Sequence, residues 1–215
     1  MQQHEIWSQI PIKKNESIYK ASIEEFAEYG YQQASTNRII KKAGVSKGLL
    51  FHYFGNKKQL YLSLLDVILS RFVEYFHQSL QKRSPDIFLR ISNWSKQKLQ
   101  MFFDFPLESK ILMDTFLEIP YQLKDDLSKR FEVISKDTLT IFLSDIDYSL
   151  FRFDIEPQKA IELIMTTMDG LANKYIRLYN QKGNLDSEDL KQSFQEVDDY
   201  LYMLKVGLYP LKENH

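Results

Sequence analysis

The sequence predicts an all-α chain of about nine helices, three at the N-terminus and a larger helical bundle behind them. Turn-formers are scarce: 215 residues hold 7 Gly and 6 Pro, too few for an all-β chain that turns roughly every ten residues. Apolar residues recur at helical rather than alternating spacing. Pro106, Pro120 and Pro157 each open an apolar-periodic segment, where a missing N–H costs nothing.

The first helix is expected over about 14–29, with Ile18, Ala21, Ile23, Phe26 and Ala27 on its inward stripe. Gly30 then caps it, because glycine takes the left-handed conformation cheaply. The second begins at Ser35 or Thr36, either of which can cap it, and stops before Gly44. The third follows Ser46 and ends near Tyr53, before the break at Gly55-Asn56. A long fourth helix runs from Lys57 to about Leu80 and joins the two parts directly. After Lys82-Arg83-Ser84-Pro85 come helices at about 86–104, 107–118, 121–145, 157–181 and 186–207. Lys182-Gly183-Asn184 separates the last two. Two domains follow, 1–56 and 57–215.

Hydrophobic residues at 44% and charged residues at 27% read as globular rather than disordered. The absence of Cys excludes disulfides, thiolate metal sites and a Cys nucleophile. No apolar run reaches the roughly 18–20 residues of a membrane span, and residues 1–14 lack the apolar stretch of a signal peptide. A cytoplasmic, membrane-free protein is expected. Net charge is −1, but it is unevenly spread. Residues 1–60 carry 9 Lys and Arg against 5 Asp and Glu, and the remainder carries 19 against 24. A basic head on an acidic body points the head toward phosphate.

The informative stretch is Ser35 to Phe54. It reads as two short helices around a tight turn at Gly44, with Ile39, Val45 and Leu50 facing inward. Such a helix-turn-helix presents its second helix to a major groove about 12 Å wide. Thr36, Ser46 and the helix N-termini offer donors to phosphate.

Residues 14–60 resemble the DNA-binding domain of the tetracycline-repressor (TetR) family. The resemblance rests on Phe26-Ala27-Glu28-Tyr29-Gly30-Tyr31, Ser35-Thr36, Ile39 and Ala43-Gly44-Val45-Ser46-Lys47-Gly48. Leu50-Phe51-His52-Tyr53-Phe54, Lys57 and Leu60 complete it. It implies an all-α homodimer that reads a palindromic double-stranded operator with its heads and holds ligand and partner surfaces behind them. The implied contacts are Thr36 to phosphate and Ser46, Lys47 and Gly48 at the tip of the recognition helix. Leu49, Phe51 and His52 face the groove and its walls, and Tyr53 and Lys57 hold phosphates. Two positions depart from the pattern. Leu49 stands where the family often has a polar residue, commonly Thr, and Phe51 lacks the hydroxyl of the usual Tyr.

Residues 86–180 are rich in aromatics and Met. Trp94, Met101, Phe102, Phe105, Met113, Phe116, Tyr121, Met165 and Met168 are candidates to line an effector pocket. Met adapts to irregular ligands, and Trp and Tyr add a polar handle. An apolar or amphipathic small molecule that releases a repressor from DNA is the expected effector. The last two helices, with Asp169-Gly170-Leu171 and the stripe through Tyr200, Tyr202, Met203, Leu204 and Leu208, are the expected dimer surface. His4, His52, His77 and His215 are scattered, so no metal site is expected. No nucleophile–base spacing, phosphate-binding loop or cofactor motif supports an enzyme.

Overall fold

The computed structural model describes residues 4–80, 84–182 and 186–210. Among them it holds ten α-helices, two 3₁₀ turns and no strand. The helices are α1 (His4–Gln9), α2 (Ile12–Gln33), α3 (Thr36–Ala43), α4 (Lys47–Phe54) and α5 (Lys57–Leu80). They continue with α6 (Ile87–Asp104), α7 (Pro106–Leu117), α8 (Lys124–Leu143), α9 (Pro157–Lys182) and α10 (Ser187–Leu208). Lys82, Arg83, Gly183 and Asn184, read above as breaks, lie outside the described residues. The element missing from the sequence reading is α1. Its Ile6, Trp7 and following Ile10 pack on the core of the N-terminal helices, which fixes a helix too short to persist alone.

By packing, the chain groups into two compact units. One comprises residues 1–77 with 104–136, the other 78–103 with 137–215. The first unit therefore holds α1 to α4, most of α5, α7 and much of α8. Its centre is the start of α5, where every residue from Leu60 to Leu65 is buried. A helix buried on all sides needs apolar residues all round, and these supply them. Ser63 satisfies its hydroxyl on the Leu60 carbonyl. Tyr61 sends its hydroxyl to Thr115 of α7 at 2.7 Å, and burial raises its pKa to about 12. α7 and α8 thus brace the back of the N-terminal helices, aided by the ion pairs Lys58–Asp126 and Asp66–Arg130.

The second unit packs α6 against α8, α9 and α10 through Ile87, Ile91, Phe142, Ile164 and Leu201. Arg90 is buried there and donates to the carbonyls of Ser84, Phe142, Ser144 and Asp145. A cation at the end of α8 meets the negative end of the helix dipole. Pro157 opens α9, and Asp186 with Asp189 forms a capping box for α10. Lys174–Glu196 and Lys182–Asp189, both at 2.6 Å, fix α9 and α10 as an antiparallel pair.

Candidate nucleic-acid interface

Gly30 ends the regular ladder of α2. Its φ of 62° and ψ of 176° lie outside the helical region, and a side chain there would be strained. One further turn follows, so that Ala34 N–H closes on the Gly30 carbonyl at 3.1 Å. The chain then enters α3 through Ser35, whose N–H donates to Glu25 at 2.7 Å. Glu25 is only 6% exposed and also accepts from Arg38, which lies over the Tyr29 ring. One carboxylate on α2 thereby fixes the entry and the first turn of α3. Sequence reasoning missed it, although Glu25 sits between Ile23 and Phe26 on an inward stripe.

α3 ends in Gly44, left-handed at φ 64° and ψ 32°. Its N–H and that of Val45 close on the Lys41 and Ile40 carbonyls, and the turn is complete in three residues. Ser46 then caps α4, accepting from Leu49 N–H at 3.2 Å. The inward set is Ile39, Leu50 and Phe54, at most 3% exposed, with Val45 half-buried. Phe54 lies on Trp7, centroids 4.9 Å apart.

The outward set of α4 is Ser46, Lys47, Gly48 and His52, all exposed. Lys47 stands over the Phe51 ring at 5.8 Å and makes no ion pair among the described residues. A Cβ built on Gly48 would meet nothing within 4 Å, so nothing inside this chain requires glycine there. Leu49, Phe51 and Tyr53 are half-buried. Thr36 opens α3, and the Ser35 side chain makes no cap hydrogen bond to its first-turn N–H groups.

Two implied phosphate holders are already engaged. Lys57 donates to the carbonyls of Gln32 and Ala34 at 3.0 and 3.1 Å, closing the end of α2. Burial lowers its pKa. Tyr53 sends its hydroxyl to the Gln9 carbonyl at 3.4 Å, at the end of α1. Lys42 pairs with Glu24 and Lys58 with Asp126, so neither cation is free for an external anion.

The candidate pocket residues fall in both units. Trp94, Met101, Phe102, Met165 and Met168 belong to the second, and Phe105, Met113, Phe116 and Tyr121 to the first. Trp94 lies on Phe142 at 4.5 Å. Phe105 packs near Phe72, whereas Phe116 is 53% and Tyr121 87% exposed. Among the described residues no group of three or more His, Cys, Asp or Glu is placed to hold a metal ion. No helix of the described residues is long and apolar enough to cross a membrane.

Residues 18–64 match the model of bacterial regulatory proteins, tetR family. The match runs from α2 into α5, about a fifth of the chain. The fatty acid metabolism regulator protein of Bacillus subtilis is 33% identical over 67 residues, 31% of this chain and 34% of that protein. The chain thus matches about a third of the length of that curated relative. Across the fold, a TetR transcription regulator from Haloarcula marismortui superposes with a TM-score of 0.64 at 23% identity. It covers 88% of this chain and 97% of its own. FadR from Bacillus subtilis, solved in complex with stearoyl-CoA, superposes with a TM-score of 0.59 at 19% identity. That superposition covers 90% of this chain and 98% of FadR. The two superpositions show a shared all-helical fold, and the matched segment 18–64 contains α3 and α4.

Proposed function

We propose that the chain is a DNA-binding transcription regulator, a repressor that grips a palindromic operator as a dimer. The observation that carries this is the tip of α4. Ser46, Lys47 and Gly48 lie exposed together at the start of α4, Lys47 makes no ion pair among the described residues, and no side chain of Ser35 caps the N-terminus of α3. Lys47 reaches a base edge or phosphate, Gly48 lets backbone approach, and Thr36 and the α3 amides bind phosphate. His52, Leu49 and Phe51 line the groove contact. Lys57 and Tyr53 keep their intrachain bonds and present their remaining capacity to the DNA backbone. Domain roles divide at 1–56 for DNA and 57–215 for effector and partner.

The dimer surface is the outer face of α9 and α10. Their ion pairs set Gly170 opposite about residue 200, so exposed Leu163, Tyr200, Met203 and Val206 share one face with Gly170. A Cβ at Gly170 would meet nothing within 4 Å in the chain, which fits close approach by a second copy. Two such helices from each subunit make a four-helix interface.

An apolar or amphipathic molecule in the bundle releases the DNA by changing head spacing. A tenfold loss of affinity needs only about 1.4 kcal/mol of preference between two states. The FadR complex with stearoyl-CoA supports such a ligand class. Because α7 and α8 brace the head through Tyr61–Thr115 and Lys58–Asp126, the displacement travels through them as well as α5.

The test is fluorescence anisotropy with DNA from upstream of the gene itself against scrambled DNA, at fixed salt. Expected is competitor-resistant binding at two protomers per palindrome or a multiple. Lys47→Ala should weaken it by about 1–3 kcal/mol. Binding no tighter than to scrambled DNA, persisting across a genomic library, would sink the regulator reading. Gly48→Ala should separate folding from DNA contact. It should raise stability by about 0.5–1 kcal/mol, because alanine favours the helix and its Cβ meets no atom. Operator affinity should fall. Equal operator affinity for the two proteins would remove Gly48 from the interface.

A further inference from the structure

The inward stripe of α6 runs through Ile87, Ile91, Trp94, Lys98 and Met101, spaced alternately four and three residues apart. That is the spacing of a core-facing helix, and four of the five positions are apolar or aromatic. Lys98 is the exception. Its ammonium stands over the Trp94 ring at 4.2 Å, and Trp94 in turn lies on buried Phe142. Among the described residues no carboxylate pairs with it. Solvent still reaches the side chain, yet protein surrounds the ammonium closely enough that burial lowers its pKa.

A second polar group on the same patch is unpaired. Gln97 lies three residues from Trp94 and four from Met101, so all four side chains are neighbours. Its Oε1 is buried and accepts no hydrogen bond. A buried acceptor without a donor is costly, and beside it the Lys98 ammonium has an aromatic face but, among the described residues, no anion. A ligand that brings a negative charge and a neighbouring O–H or N–H would satisfy both groups.

We propose that the Trp94–Gln97–Lys98–Met101 face of α6 binds the anionic head of an amphiphilic effector, with Lys98 as its counter-ion. The proposal rests on the effector reading above and gives that ligand its chemistry: an apolar body ending in a carboxylate or a phosphate. Trp94 and Met101 take the apolar part next to the head, and the Gln97 carboxamide takes the donor.

The experiment is calorimetric titration of the full chain with decanoate, hexadecanoate and dodecyl phosphate, each beside the alcohol of the same length. Wild-type protein should prefer at least one anion over its alcohol. Lys98→Met should lose that preference, weakening the anion roughly tenfold or more while leaving the alcohol unchanged. Lys98→Arg should retain most of it. The carboxylate and phosphate arms tell which head is taken. Lys98→Met should also melt higher than wild type, because methionine suits the apolar stripe and removes an unpaired cation. No anion preference in the wild type, preference kept in Lys98→Met, or a lower melting point for that variant would each overturn the proposal. Lys98-dependent binding that leaves operator affinity unchanged would overturn only the effector reading, and the anion site would stand.

Discussion

Trp7→Ala should cost the folded chain about 3–5 kcal/mol, the range for deleting a large aromatic side chain from a packed core. Trp7 is 5% exposed although it lies in a six-residue helix near the chain start. Its ring meets Tyr19 edge-on at 5.7 Å and Phe54 at 4.9 Å, and its indole N–H donates to the Ser63 carbonyl of α5. One side chain thus ties α1 to α2, α4 and α5 at once. The expected result is a urea midpoint well below wild type for the transition that reports the N-terminal helices. Trp7→Phe should lose far less, since it keeps the ring and gives up the N–H. An alanine variant within about 0.5 kcal/mol of wild type, the range of an ordinary surface change, would show that α1 is an ornament on the head.

α1 escaped the sequence reading for a physical reason. Six residues form no stable helix by propensity, so only tertiary contact fixes them, and such contacts leave no local period. Elsewhere the local signals were strong. Pro106 and Pro157 open α7 and α9, Gly30 and Gly44 take positive φ where a turn was expected, and Ser46 caps α4. The inward set of the helix-turn-helix was equally legible from spacing. Partners distant in sequence were not. Lys57 reads as a surface cation until the chain brings it to carbonyls 25 and 23 residues upstream. Aromatic content likewise could not separate Trp94, on the inward stripe of α6, from Tyr121, which faces water. Lys98 was readable in principle, as a charge at a core-spaced position. Composition does not show it, because one charge interrupting a stripe leaves the aromatic and Met content unchanged.

Glu25 gives the second large effect, and it acts on the interface through geometry. Glu25→Ala should cost about 1–3 kcal/mol, because the Ser35 N–H loses its acceptor at a buried site. The damage is local: the entry of α3 loosens, and α4 is held to α3 by the turn at Gly44. Operator binding should therefore weaken even under conditions where the chain stays folded. Glu25→Gln is the discriminating control. It keeps the volume and an acceptor oxygen for Ser35 N–H but surrenders the charge facing Arg38. If Glu25 works by positioning, the glutamine chain should recover most of both stability and DNA affinity. The salt dependence of binding should be the same in all three proteins, since no phosphate contact has been removed. A steeper or shallower salt slope in Glu25→Ala would mean that the carboxylate acts on the DNA field directly. In that case its bond to Ser35 would no longer explain the loss.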